Sequence, residues 1–316
     1  MSTARYLVLV CLCLSATHLS GRAQELNLQL RSQQPAAPAA ECYHSIEQPE
    51  WWQPNQTAVI VCDMWDSHPC VNAARRGAEL APHIDRFVRE LRGRGATIIH
   101  APSSCMEHYA GHPARMRAQA TPLLASLPVD IENWCDHIPS EEAAAYPVDQ
   151  SAGGCDDEPL DHQQWGARLA AAGRNPQAAW QAQCAAIAID DKLDYLSDSG
   201  PQIWSILAAR GISHVMLVGV HTNMCVLGRP FGLRRLASNG MQVVLVRDLT
   251  DTMIDPRAWP YANHFSGTDL IVRHIERFVC PTISSSQVLG GDDFRYARDR
   301  RVRLVMLIAE DEYQTE

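Results

Sequence analysis

The chain has 316 residues and a formal net charge of −9, from 27 lysines and arginines against 36 aspartates and glutamates, and 46% of it is hydrophobic. That apolar share supports a sizeable core and excludes a disordered chain, while the length allows one large domain or two ordinary ones. The acidic balance excludes a nucleic-acid partner, which would need clustered basic groups to displace counterions from phosphates.

Residues 1–23, MSTARYLVLVCLCLSATHLSGRA, join an early arginine to a short apolar run and end in small residues. This is the pattern of a secretory signal peptide cut after Ala23, and the run is too short to anchor in a bilayer. An exported protein, periplasmic or extracellular, with no stable membrane span after cleavage is therefore expected. The mature chain would keep nine cysteines, at 42, 62, 70, 105, 135, 155, 184, 225 and 280. An odd number leaves at least one thiol unpaired where disulfides form.

Residues 24–56 are rich in Gln, Pro and Ala and read as a tether. From Thr57 the pattern becomes regular. AVIVCD is a buried strand, residues 77–93 have helical spacing, and ATIIH (96–100) and AIAID (186–190) read as the second and third strands. A helix over about 199–210, the strand HVMLVGV (214–220), a helix over about 224–238 and the strand MQVVLV (241–246) follow. Apolar strands alternating with amphipathic helices predict an α/β fold, a doubly wound and mostly parallel sheet covered on both faces. A long insertion over about 102–185 follows the second strand and reads either as a lid or as a shield over the sheet. Residues 284–316 form a tail with one further strand, VRLVMLIAEDEY, that belongs to this sheet or begins an incomplete second domain.

In a parallel sheet the reactive groups gather at the carboxyl ends of the strands. Asp63 follows the first predicted strand, Lys192 the third and Cys225 the fourth. Lys192 is the only lysine in the chain, which suggests a place that needs a compact ammonium and not a guanidinium. Cys225, in GVHTNMCV, sits where a strand turns into a helix, and free amides there lower a thiol's pKa and can bind an oxyanion.

The three segments VCDMWD, DDKLDYLSDSG and GVHTNMCV, in this order, resemble the motifs of the isochorismatase-like cysteine hydrolases, the superfamily of nicotinamidases, carbamoylsarcosine amidase and ureidoacrylate amidohydrolases. The resemblance covers about residues 57–283 apart from the insertion, and implies a three-layer Rossmann-like fold. It also implies an Asp63, Lys192, Cys225 triad, with Asp63 as base and Lys192 as its cation. The same turn would carry a cis peptide at Val220–His221 that aims the amides of His221 and Cys225 at the oxyanion. The implied reaction is hydrolysis of an amide, carbamoyl or ureido C–N bond of a small molecule through a cysteine thioester. Two alternatives stay open, an enol-ether hydrolase of the isochorismatase type and an inactive exported binding module of the same fold.

Trp65, Asp66 and His68, close behind Asp63, and Trp259, Tyr261 and His264 further on are candidate substrate contacts. The other role open to the first group is to fix its loop, and to the second, packing in the core or between subunits of an expected homo-oligomer. The Asp-x-His pair of metal-binding nicotinamidases is missing. His100, His108 and His112 remain as loop histidines, so no cofactor is expected and zinc is not favoured.

Overall fold

The computed structural model describes residues 25–37 and 42–302. The predicted signal peptide and nearly all of the predicted last strand lie outside the described residues. Eight strands form one sheet in the order β2-β1-β8-β7-β6-β3-β4-β5. They are β1 (Leu26–Pro35), β2 (Tyr43–Trp52), β3 (Thr57–Cys62), β4 (Thr97–Ala101), β5 (Tyr195–Leu196), β6 (His214–Val220), β7 (Gln242–Asp251) and β8 (Thr282–Ile283). The strands from β3 to β8 pair in parallel, and β1 pairs antiparallel with both β2 and β8.

Side chains alternate across the central strands and bury both faces. Ala58, Ile60 and Cys62 of β3 and Val215 and Leu217 of β6 face α4 (Gly200–Ala209), α5 (Leu233–Ser238) and α6 (His264–Phe278). Val59 and Val61, with Met216 and Val218, face α1 (Val71–Gly93) through Leu80, Ile84, Phe87 and Leu91. This is the doubly wound α/β sheet expected from the alternation of strand and helix. Among the described residues no helix is long and apolar enough to cross a membrane.

Three local expectations are corrected. Residues 26–52 are not a tether: LNLQL alternates with period two, so Leu26 and Leu28 are buried and β1 with β2 extends the sheet as a hairpin. The Gln and Pro content obscures that alternation. AIAID is not a strand either, and the short β5 beside β4 begins only at Tyr195. Lys192 therefore precedes a parallel strand, toward the amino ends, whereas Asp63 follows β3 and Cys225 follows β6. Finally, the helix expected over 224–238 is divided. A π-helical turn at Thr222–Val226 gives way to irregular chain around Pro230, and α5 starts at Leu233. Proline lacks the amide a continuous helix would need there.

The insertion carries α2 (Pro113–Ala120) and α3 (Pro159–Ala171) and docks through a buried ion cluster. Glu141 accepts 2.8 Å hydrogen bonds from Arg234 Nε and Nη2 and pairs with His274 Nε2 at 2.8 Å. Burial alone would raise the Glu141 carboxyl, but His274 and Arg234 outweigh it and hold it down at about 2. We expect Glu141→Gln to cost about 3–5 kcal/mol at neutral pH, because it leaves Arg234 buried without its charge partner. The depressed pKa means this contribution is present above the ordinary carboxyl range and is lost as pH falls toward about 2. Urea unfolding of both proteins over that range should show their stability difference shrinking with acid.

Candidate active site

Asp63 follows β3 with a φ of 47°, an αL conformation uncommon for a non-glycine residue, and is fully buried. Its Oδ1 accepts a 2.7 Å hydrogen bond from the Ser103 amide, and its Oδ2 accepts one of 2.9 Å from Arg229 Nε. Cys225 is close enough for its thiol and this carboxylate to act on each other's ionisation, and Arg229 acts on both. Burial pushes the Asp63 carboxyl up, and Arg229, Cys225 and Ser103 oppose it without reversing the direction.

The turn bearing Cys225 is shaped by its sequence. The Val220–His221 peptide is cis, at the position expected. Gly219 has a φ of 112°, and a Cβ there would stand 2.0 Å from the Cys62 carbonyl oxygen, so only glycine lets β6 pass so close to β3. Amides of Met224 and Val226 both donate to the His221 carbonyl. Asn223 is fixed by bonds to the Met253 amide and carbonyl. Cys225 follows on a π-helical turn, not at the start of a long helix, and is only 8% exposed. Its thiol pKa is consequently pushed up by burial and then by Asp63, with Arg229 pulling the other way. The expectation of a thiol acidified by a helix N-terminus is corrected: burial and an adjacent carboxylate favour the protonated form.

The predicted residues divide into those that meet and those that do not. Asp63, Trp65, His68 and His221 line one cavity of about 20 Å³, enough for a water. Trp65 stacks on Trp180 of the insertion at 4.5 Å and donates to the Ser103 carbonyl. Asp66 fixes its loop, accepting from Arg174 and from the amides of Gln181 and Ala182. The His68 ring accepts from the Cys70 amide, and burial lowers its pKa to about 4. His221 is lowered to about 3, again chiefly by burial, and neither ring nitrogen has a hydrogen-bond partner. His264 is tied to the buried Asp251 at 2.7 Å, where Arg76 also binds at 2.9 Å. Trp259 and Tyr261 lie on an exposed loop and do not line this cavity.

Lys192 does not join them. It is exposed, its amide donates to Asp190, and its ammonium makes no ion pair among the described residues. Its place before β5 explains this. Arg229 is the cation on Asp63, and sequence reasoning missed it, although it stands four residues after Cys225 beside the helix-breaking Pro230. The insertion also covers this arginine: Trp134 lies over its guanidinium at 5.5 Å and against Gly228. His100, which lies within β4 and not on a loop, is occupied by Gln183 and Asp194, and His112 caps α2, so these three histidines form no common cluster.

Residues 164–262, which include β6, the cis turn and β7, match the isochorismatase domain model. Over that segment the chain is similar to the isochorismatase domain. Solved structures similar to it include a cysteine hydrolase from Pseudomonas syringae pv. phaseolicola 1448A, at 15% identity over 75% of this chain and 92% of that one, with a TM-score of 0.42. An isochorismatase family protein from Burkholderia thailandensis gives 15% identity, 74% and 93% coverage and a TM-score of 0.41. One from Desulfovibrio vulgaris subsp. vulgaris str. Hildenborough gives 12%, 73%, 95% and 0.39. No curated protein matches the chain.

In this site Arg229 should control the reactivity of Cys225. Arg229→Ala is expected to slow alkylation of Cys225 by about tenfold or more, since a neighbouring opposite charge is worth about 1–3 pKa units. Lys192→Ala should leave the rate unchanged. Iodoacetamide time courses read by peptide mass mapping would check both, and equal losses would contradict the assignment.

Proposed function

We propose that the protein is an exported cysteine hydrolase that cleaves a C–N bond of a small molecule, with Cys225 as nucleophile, Asp63 as base and Arg229 as the cation beside them. The observation carrying this reading is the buried Asp63–Arg229 pair beside Cys225 at the carboxyl edge of the sheet, where Gly219 and the cis turn bring the end of β6 close to β3.

Because the resting thiol is protonated, attack and proton transfer go together. The sulfur forms a bond to the substrate carbonyl carbon while its proton passes to Asp63, and the His221 and Cys225 amides receive the developing oxyanion. Collapse breaks the C–N bond, and the amine leaves with the proton from Asp63. Asp63 then takes a proton from water as it attacks the thioester, releasing the acid and restoring the thiol. Arg229 limits the cost of a buried negative charge that moves between carboxylate and sulfur. No step calls on a metal.

Cys225 does not line the water-sized cavity beside Asp63 and is itself buried, so a substrate reaches its sulfur only if the surrounding chain moves. Trp180, stacked on Trp65, and Trp134, over Arg229, are insertion residues, and the insertion serves as the lid in this reading. His221, whose buried ring nitrogens have no hydrogen-bond partner among the described residues, offers polar contacts to an amide, carbamoyl or ureido group.

A screen of such compounds for ammonia or amine release tests this directly. Cys225→Ala should abolish turnover, and Asp63→Asn should lower kcat by about 10²–10⁴-fold, the usual worth of a general base. Substantial turnover by Cys225→Ala would refute the mechanism.

A further inference from the structure

Away from Asp63 and Cys225, four donor side chains from three chain segments converge at the start of α1. Cys70 stands just before α1, Cys155 and Asp157 lie in the insertion loop, and His162 is in the first turns of α3. Cys70 Sγ, Cys155 Sγ and a carboxylate oxygen of Asp157 all lie within 4.8 Å of one another. Cys70 Sγ is 3.0 Å from Asp157 Oδ1, Cys155 Sγ is 3.8 Å from His162 Nδ1, and His162 Nδ1 is 3.0 Å from Asp157 Oδ2.

We propose that Cys70, Cys155, Asp157 and His162 form a structural zinc site that fastens the insertion to α1. Tetrahedral zinc with ligands at about 2.0–2.3 Å requires donors about 3.3–3.8 Å apart, close to the spacing present. Two thiolates and an imidazole select zinc over magnesium or calcium, which take oxygen shells. Asp157 is already oriented: the amides of Val71 and Asn72 donate to its two oxygens at 2.8 Å, and a carboxylate has further lone pairs for a metal. A disulfide between the two cysteines is the competing chemistry. It would not account for the convergence of Asp157 and His162, each sulfur facing one of these groups. The site lies two residues beyond His68, so the ion would hold in place both the insertion and the loop that lines the Asp63 cavity.

The test uses the full chain purified without chelator, equilibrated with zinc and freed of excess. Metal analysis should give about one zinc per chain, and cobalt substitution should give the visible bands of tetrahedral cobalt with thiolate charge transfer. Cys155→Ser should lose both signals, while Cys280→Ser, at a buried cysteine elsewhere, should keep them. His162→Ala removes a side chain that is 53% exposed, so it should fold even if Cys155→Ser does not. It should weaken zinc binding by more than about tenfold, since even outer-sphere partners are worth that much. Zinc retained at full affinity in both folded variants, no zinc in the wild-type chain, or a Cys70–Cys155 disulfide in the native protein would each overturn the proposal.

Discussion

A carboxylate with no exposed surface must be paired or neutral, and Asp63 is paired with Arg229. Much of the local architecture serves that pair. The αL conformation of Asp63 turns its side chain back under the sheet edge, where the Ser103 amide takes one oxygen. The break in the chain around Pro230 brings Arg229 to the other oxygen. Gly219 lets β6 lie close enough to β3 for the cis turn to set Cys225 against the same carboxylate. Together these leave one proton and one cation to be shared among an acid, a thiol and the groups that approach them.

The sheet was readable in the sequence because apolar period and length determine it: β3, β4, β6 and β7 lie close to where the runs of Val, Ile and Leu place them. Asp63 and Cys225 were readable for the same reason, since both stand immediately past such runs. The β1–β2 hairpin was hidden by composition, although Leu26 and Leu28 carried the right alternation. Lys192 misled because its rarity and its spacing to Cys225 were both real, but they say nothing about which end of a parallel strand it occupies. That depended on whether the strand lay before or after the lysine. Arg229 could not be inferred from helical periodicity, because it acts from the place where the helix fails.

The insertion is fixed to the sheet domain at several points. Glu141 grips Arg234 and His274, Trp134 covers Arg229, Trp180 stacks on Trp65, and Asp157 caps α1. Each contact is at or near the catalytic edge. In the proposed function, specificity and access fall to this segment and the sheet supplies the chemistry.

The most direct measurement of the Asp63–Arg229 interaction is a double-mutant cycle on the alkylation rate of Cys225, comparing Asp63→Asn, Arg229→Gln and the double variant with the parent chain. If the two residues act as a unit, the factor by which Arg229→Gln changes the rate in the parent chain should differ from that in the Asp63→Asn background, a coupling toward the upper end of the roughly 0.5–3 kcal/mol seen for residues in contact. Effects that simply multiply would show that Arg229 acts on the thiol independently of Asp63, and would contradict the pair as the governing interaction.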